Sequence, residues 1–254
     1  MPPAYVTVED AIGLRGLRVA FTQGVPGPWG EAVKAFLAIK AIPFTPVIQV
    51  GGAPNEALLQ WTGQSSAPVA VLDDERPRTH WSEILMLAER LQPKPRLVPA
   101  DEDERAIMFG IAHAICGEDG FGWSARLLTF EVIQSMTDAV PMDHMKRKFA
   151  SGASLDHAGK RCVAIMDMLA RRLERQAGEG RSYLVGEALS AADIYWTVFS
   201  NMVTPMEADA CPMPDYYRAW TTATGEMLGV AVPDILIAHR ERMLRDHFKL
   251  PMWF

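Results

Sequence analysis

Residues 61–85, WTGQSSAPVAVLDDERPRTHWSEIL, contain two residues whose positions could serve a ligand. Pro68 directly precedes a predicted strand, and Ser82 stands where the next predicted helix would be capped. The first N–H groups of a helix have no intrahelical partner and lie at the positive end of its dipole, so a helix start attracts anions. The segment is therefore either part of an anion-binding site or simply a hairpin followed by a capped helix.

The composition of the 254-residue chain argues against several classes of protein. Apolar residues make up 49% and charged residues 22%, which is typical of a globular protein rather than a disordered one. The formal net charge of −6 argues against nucleic acid, because phosphate binding needs a basic surface. No apolar run approaches the roughly 20 residues of a membrane helix, and the N-terminus has no secretory signal pattern. We therefore expect neither a nucleic-acid nor a membrane partner.

The cysteines and the known motifs give no indication of a metal or a disulfide framework. Cys116, Cys162 and Cys211 are odd in number and far apart, which suits reduced thiols and a cytoplasmic location. The sequence has no phosphate-binding glycine motif, no H-E-x-x-H and no Cys/His cluster with zinc spacing. We therefore expect no metal site.

The elements that must position these residues change in character near residue 92. Before it, short apolar runs alternate with helical patterns in the order βαβ, then ββα. Strands are predicted at 17–21, 44–50, 69–72 and 77–80, and helices at 31–39, 55–61 and 82–91. We therefore predict an N-terminal extension at 1–16 and an α/β domain at 17–92.

The rest of the chain reads as a linker and a helical domain. Residues 93–101 are rich in proline and charge, as linkers are. Helices are predicted at 102–128, 142–149, 154–176, 190–204, 215–228 and 233–248. Ser190 and Asp193 form a capping-box pattern that serves folding of the helical domain, which spans 102–254.

Four segments in this order resemble the glutathione transferase family. They are AVKAFLAIKAIPF at 32–44, APVAVLDD at 67–74, WSEIL at 81–85 and LVGEALSAADIYW at 184–196. The resemblance implies a thioredoxin-like N-terminal domain, an all-α C-terminal domain, glutathione as co-substrate, a homodimer and a role in detoxification. It also implies that the Ala67–Pro68 peptide is cis, whereas position alone would favour an ordinary trans proline.

The resemblance implies three contacts to glutathione. Ala67 would offer its N–H and C=O to the cysteinyl backbone, as in the pairing of an added strand. Ser82 would face the γ-glutamyl carboxylate, in addition to capping its helix. Trp81 stands where the family usually has an acid or an amide for the γ-glutamyl ammonium. It could bind that ammonium by a cation–π contact of roughly 0.5–2 kcal/mol, or it could be a packed aromatic residue.

The residue that activates the thiol is not evident. The family lowers the thiol pKa with a hydroxyl or thiol near the start of the first helix. By resemblance that position is Gly30, preceded by Trp29, and neither has such a group. Three substitutes remain: the hydroxyl of Thr22, the amide of Gln23, and the backbone N–H groups at the helix start, from Trp29 to Glu31. Thr22 could equally be a strand-end residue that satisfies a loop group.

By resemblance, the long helix after the linker borders an acceptor pocket. Phe109, His113, Cys116 and the following Trp123 could line it, with Trp29 as a wall, although a core cysteine and a satisfied histidine are the simpler interpretations. The resemblance implies thiolate attack on a small hydrophobic electrophile, by conjugation or by displacement of a leaving group. The alternatives are a non-catalytic binding module that has lost the activator and, less favoured, a glutathione-dependent isomerase.

Overall fold

A computed structural model of the chain describes residues 4–137, 143–149 and 152–254. They form two compact units. The first unit comprises the described residues up to Pro95 together with Ala208–Met213 and Lys249–Phe254. The second unit comprises Arg96–Glu207 and Pro214–Phe248. In the described ranges, no helix is long and apolar enough to cross a membrane.

The first unit is built on a mixed three-stranded sheet. Its elements are α1 (Val8–Ile12), β1 (Leu17–Thr22), α2 (Pro28–Ile39), β2 (Thr45–Gln49), α3 (Glu56–Thr62), β3 (Val69–Leu72) and α4 (Trp81–Leu91). The strand order is β2-β1-β3, with β1 parallel to β2 and antiparallel to β3. Because side chains alternate along β1, Val19 packs with α2 and α4 on one face, whereas Ala20 packs with α1 and α3 on the other.

The prediction of a fourth strand at 77–80 is wrong. Only a single antiparallel bridge joins Arg78 to Ala70, with hydrogen bonds of 2.8 and 3.0 Å. Pro77 has no N–H to extend the pairing, and His80 already serves as the N-cap of α4. The three-stranded sheet followed by helices alone nevertheless confirms the predicted fold class, a thioredoxin-like domain followed by an all-α domain.

Residues 4–16 are part of the first unit and contain a helix that the sequence pattern did not predict. Val6 forms a parallel bridge with Val47 at the edge of the sheet, and Thr7 caps α1. The buried guanidinium of Arg18 donates to the carbonyls of Ala11 and Leu14, at 3.1 and 2.7 Å. A side chain of β1 thereby binds backbone carbonyls at and just beyond the end of α1.

Among the described residues of the second unit, every regular element is a helix. Its elements are α5 (Glu102–Cys116), α6 (Phe121–Met136), α7 (Asp143–Phe149), α8 (Leu155–Gly178), α9 (Ala191–Phe199), a 3₁₀ turn (Ser200–Met202), α10 (Asp215–Met227) and α11 (Asp234–His247). Of the helix predicted at 142–149, Met142 lies outside the described residues.

The single helix predicted at 102–128 is wrong, because the structure has two helices there. The chain turns between Cys116 and Phe121. A Cβ atom at Gly120 would lie 2.7–3.0 Å from three backbone carbonyl oxygens of residues 113–117, so the turn tolerates only glycine. Residues 117–120, Gly-Glu-Asp-Gly, contain two glycines and no apolar side chain, a turn signal that the prediction of one helix overlooked.

The capping box predicted at α9 is confirmed. Ser190 is the N-cap, and the fully buried Asp193 accepts the N–H of Ser190 at 2.9 Å and its hydroxyl at 2.7 Å. The other carboxylate oxygen of Asp193 accepts the N–H of Leu184 at 2.7 Å and lies 3.0 Å from Nε2 of His239. One buried carboxylate thus joins the loop before α9, the start of α9 and α11.

Candidate functional site

The Ala67–Pro68 peptide is cis, as predicted. It leads into β3, and Pro68 is buried while Ala67 is half-buried. In the described part of the chain, no hydrogen bond occupies the backbone N–H or C=O of Ala67. Both groups are therefore available to the main chain of a peptide-like ligand.

The start of α4 differs from the prediction that Ser82 caps the helix. The helix begins at Trp81, and its N-cap is His80, whose backbone is extended (φ −98°, ψ 142°). The ring atom Nδ1 of His80 accepts the N–H of Ser82 at 3.4 Å and lies 2.7 Å from the Ser82 hydroxyl oxygen. The prediction failed because an imidazole nitrogen can supply the acceptor that a serine usually provides.

Glu83 reaches back across the same helix start. The hydrogen bond from Arg76, at 2.8 Å, lowers the pKa of Glu83, and the backbone N–H groups of His80 and Thr79 lower it further. His80 and Glu83 thus satisfy donors on both sides of the first turn, in the manner of a capping box.

Trp81 is a largely buried residue, with 8% of its surface exposed. Its ring centroid lies 5.2 Å from that of His80. This burial fits a packed aromatic residue better than an indole ring whose face is exposed to bind an ammonium group. The predicted contact with the γ-glutamyl ammonium stays a prediction.

Thr22 ends β1 opposite Gln49, and its hydroxyl donates to Oε1 of Gln49 at 2.7 Å. The amide of Gln49 is held in that orientation because its Nε2 donates to the carbonyls of Val50 and Ser65, at 2.9 and 3.3 Å. A hydroxyl has one proton, so donation to Gln49 leaves none for a thiolate. The arrangement matches the alternative in which Thr22 organises a loop. The side chain of Gln23, the second candidate donor, is exposed.

The start of α2 offers backbone donors. Gly27 is the N-cap and Pro28, which has no N–H, is the first helical residue. The N–H of Glu31 already donates to the carbonyl of Gly27 at 2.9 Å, so this N–H is not free to bind a thiolate. Gly30 lies one residue earlier, where helix N–H groups lack an intrahelical partner. A Cβ atom there would lie 3.3 Å from Cδ1 of Phe21, so the glycine also lets α2 approach β1 closely.

The three residues expected at the acceptor pocket differ in environment along α5. Cys116 is 1% exposed, and burial raises the pKa of its thiol well above the usual value. His113 is exposed, and Phe109 is half-buried with the guanidinium of Arg105 at 5.3 Å from its ring centroid. The core interpretation therefore fits Cys116, and the acceptor role of all three stays a prediction.

A buried ion pair one turn into α2 was missed by the sequence analysis. Glu31 and Lys34 are 5% and 7% exposed, and Nζ of Lys34 donates to Oε1 of Glu31 at 2.9 Å. Burial raises the pKa of Glu31 to about 7, although Lys34 opposes the shift, and burial lowers the pKa of Lys34. Their spacing of three residues on an otherwise apolar helix face was the available signal.

No metal site is evident within the described ranges, since no group of three or more His, Cys, Asp or Glu residues there could hold an ion. The candidate site of the first unit has three parts, which are the Ala67 backbone, the start of α4 and the start of α2.

Comparison with known proteins reveals structural similarity alone. No protein-family model and no curated protein sequence matches the chain. Among solved structures, a glutathione transferase family member from Pseudomonas fluorescens with two glutathione bound has a TM-score of 0.63 at 14% identity, covering 94% of this chain and 93% of its own. A glutathione S-transferase from Methylobacillus flagellatus with glutathione bound has a TM-score of 0.62 at 14% identity, covering 91% and 95%.

A third similar structure is a monomeric glutathione S-transferase from the hookworm Necator americanus. Its TM-score is 0.59 at 12% identity, and the alignment covers 91% of this chain and 92% of that one. Likeness at such low identity establishes a shared architecture and leaves the activity open. The chain therefore has the glutathione transferase fold.

Proposed function

We propose that the protein binds glutathione in its first unit and uses the glutathione thiolate to attack a small hydrophobic electrophile. The observation that carries the proposal is the cis Ala67–Pro68 peptide with an unoccupied Ala67 backbone, in the fold of proteins crystallised with glutathione. A peptide-like ligand can pair with that backbone as an additional strand does. Conjugation and displacement of a leaving group both remain within the proposal.

The remaining contacts follow from the same placement. The γ-glutamyl carboxylate would lie at the start of α4, near Ser82, with Trp81 close to the ammonium. The thiolate would lie at the start of α2, where the Gly30 N–H and the helix dipole favour negative charge. Trp29 beside it would form a wall for the electrophile. Phe109, His113 and Cys116 are proposed for the acceptor side.

A non-catalytic binding module is the second candidate. The observation in its favour is that the hydroxyl of Thr22 is engaged by Gln49, while Gly30 has no side chain to take its place. Without a side-chain activator, backbone N–H groups alone would have to lower the pKa of the glutathione thiol. A homodimer is proposed from the resemblance and is tested by light scattering, and a cytoplasmic location is proposed from the odd number and wide spacing of the cysteines.

Glutathione at millimolar concentration is expected to raise the melting temperature, because a ligand that binds only the folded state stabilises it in proportion to the logarithm of its concentration over Kd. Differential scanning fluorimetry measures the shift. Cysteinylglycine, which lacks the γ-glutamyl group, is the matched control and should give a smaller shift. Equal melting temperatures with and without glutathione would remove the basis of the proposal. A bound thiol pKa equal to that of free glutathione would favour the binding module.

Thr22→Val is expected to leave the thiol pKa of bound glutathione unchanged, since the Thr22 proton is donated to Gln49. The lost hydrogen bond should cost about 1 kcal/mol of stability. The ultraviolet absorbance of the thiolate, titrated against pH, measures the pKa. Thr222→Val, which removes an exposed hydroxyl on α10, controls for the substitution itself. A rise of one unit or more in Thr22→Val alone would restore Thr22 as the activator.

A further inference from the structure

The segment Lys249–Phe254, here called the strap, packs within the first unit. The N–H of Met252 donates to the carbonyl of Ala210 at 2.8 Å. The indole of Trp253 stacks on Phe44, with ring centroids 6.5 Å apart and an interplanar angle of 13°. It also meets the edge of Tyr5 at 5.7 Å. The strap thus lies against Tyr5, which precedes α1, and Phe44, which directly precedes β2.

Lys34 is the polar attachment of the strap. Its ammonium donates to the carbonyl of Trp253 at 2.7 Å and lies 4.2 Å from the centroid of the Trp253 ring. The Phe254 ring lies 5.7 Å from the same nitrogen, and the Phe21 ring 5.0 Å. One ammonium therefore combines a hydrogen bond with several cation–π contacts, which strengthen when the cation is desolvated.

Glu31 supplies the counter-charge that the buried ammonium of Lys34 needs. In the part of the chain that the structure describes, Glu31 is the one carboxylate paired with Lys34. A buried ammonium without a counter-charge is strongly unfavourable, so loss of the Glu31 charge would drive Lys34 toward water. A move toward water would part the Lys34 ammonium from the carbonyl and ring of Trp253, which would loosen the strap.

We infer that Glu31 and Lys34 form a pH-sensitive latch that holds the strap when both are charged and releases it when Glu31 is protonated. The contacts of Lys34 with Glu31 and with Trp253 form the latch. Burial raises the pKa of Glu31 to about 7, so Glu31 titrates near neutral pH. Within the described residues, Tyr5 is a further titratable group that the Glu31 charge affects. Burial and the Glu31 charge raise its pKa, so Tyr5 remains neutral throughout this range.

The direction of the pH effect follows from these charges. Above neutral pH the ionised Glu31 balances Lys34 and the strap is closed. As pH falls through the pKa of Glu31, the pair becomes a lone ammonium and the strap opens. Because Glu31 directly follows Gly30, the latch lies beside the proposed position of the thiolate, although the inference itself needs no glutathione.

Hydrogen exchange with mass spectrometry tests the latch on the full chain at pH 6 and pH 8, after correction for intrinsic exchange rates. In the unmodified protein, exchange of a peptide spanning 249–254 should be about tenfold faster at pH 6. Glu31→Gln, which mimics the protonated carboxyl, should give the fast rate at both pH values. Asp156→Asn, which removes the exposed partner of Lys160 on α8, should change nothing.

Two controls keep the inference falsifiable. Exchange in β1 reports on global unfolding, so the Glu31→Gln result counts only where β1 stays protected. Should that variant unfold, Trp253→Ala replaces it: removing the stacked ring while keeping the ion pair should open the strap at pH 8 as well. Strap exchange that is equally slow at both pH values in the unmodified protein, or a pH dependence retained in Glu31→Gln, would overturn the latch.

Discussion

Gly225→Ala is expected to lower the free energy of unfolding by about 3 kcal/mol or more. Gly225 lies in α10, where a Cβ atom would overlap the backbone carbonyl oxygen of Val203. A flexible side chain could move aside, but a carbonyl that belongs to the chain after α9 cannot move without shifting the backbone. Urea denaturation followed by circular dichroism measures the loss.

Gly159→Ala is the matched control for this prediction. Gly159 is also a helix-interior glycine, in α8, but nothing lies within 4 Å of a Cβ atom placed there. Alanine should therefore stabilise the protein by about 0.5–1 kcal/mol, since it restricts the unfolded chain and favours the helix. Similar effects from the two substitutions would contradict the close approach of α10 to Val203.

Asp193→Ala is expected to lower the free energy of unfolding by about 3–5 kcal/mol. The fully buried carboxylate accepts three hydrogen bonds, and its loss strands the N–H groups of Leu184 and Ser190 without an acceptor. A buried donor without a partner retains its desolvation cost. Urea denaturation again provides the measurement.

Two variants show whether the network accounts for that loss. Asp193→Asn keeps the shape but puts an NH₂ group in place of one carboxylate oxygen, opposite the N–H of either Leu184 or Ser190, so it should be nearly as damaging as alanine. Asp167→Ala, at an exposed position on α8, should change stability by less than about 0.5 kcal/mol. A mild Asp193→Asn with a severe Asp193→Ala would show that packing volume matters more than the hydrogen bonds.

Local patterns accounted for much of the fold. β3 lies where the apolar run at 69–72 placed it, and the Ser190–Asp193 capping box is present as predicted. Such features depend on residues within about one turn or one strand, so short stretches of sequence contain the required information. The fold class follows because it depends on the order of those elements.

The errors lie at a turn and at a helix start, where specific backbone and side-chain contacts, and not apolar periodicity, decide the structure. Residues 117–120 separate two helices, and three backbone carbonyl oxygens approach Gly120 so closely that no side chain fits there. The strand expected at 77–80 shrank to one bridge because His80 was needed to begin α4. A serine is the commoner cap, so residue preference alone selected Ser82.

The sequence by itself determined the order of strands and helices, the capping box and the placement of Ala67–Pro68 before β3. Only the tertiary structure decided which polar groups are engaged: the Thr22 hydroxyl by Gln49, Ser82 by His80, and Glu31 by Lys34. The physical reason is that periodicity and residue preference indicate which element forms, whereas the folded structure decides which donor meets which acceptor. Many of the pairs it forms join residues distant along the chain, as with Thr22 and Gln49. Lys34 and the carbonyl of Trp253 are such a pair, brought to 2.7 Å by folding.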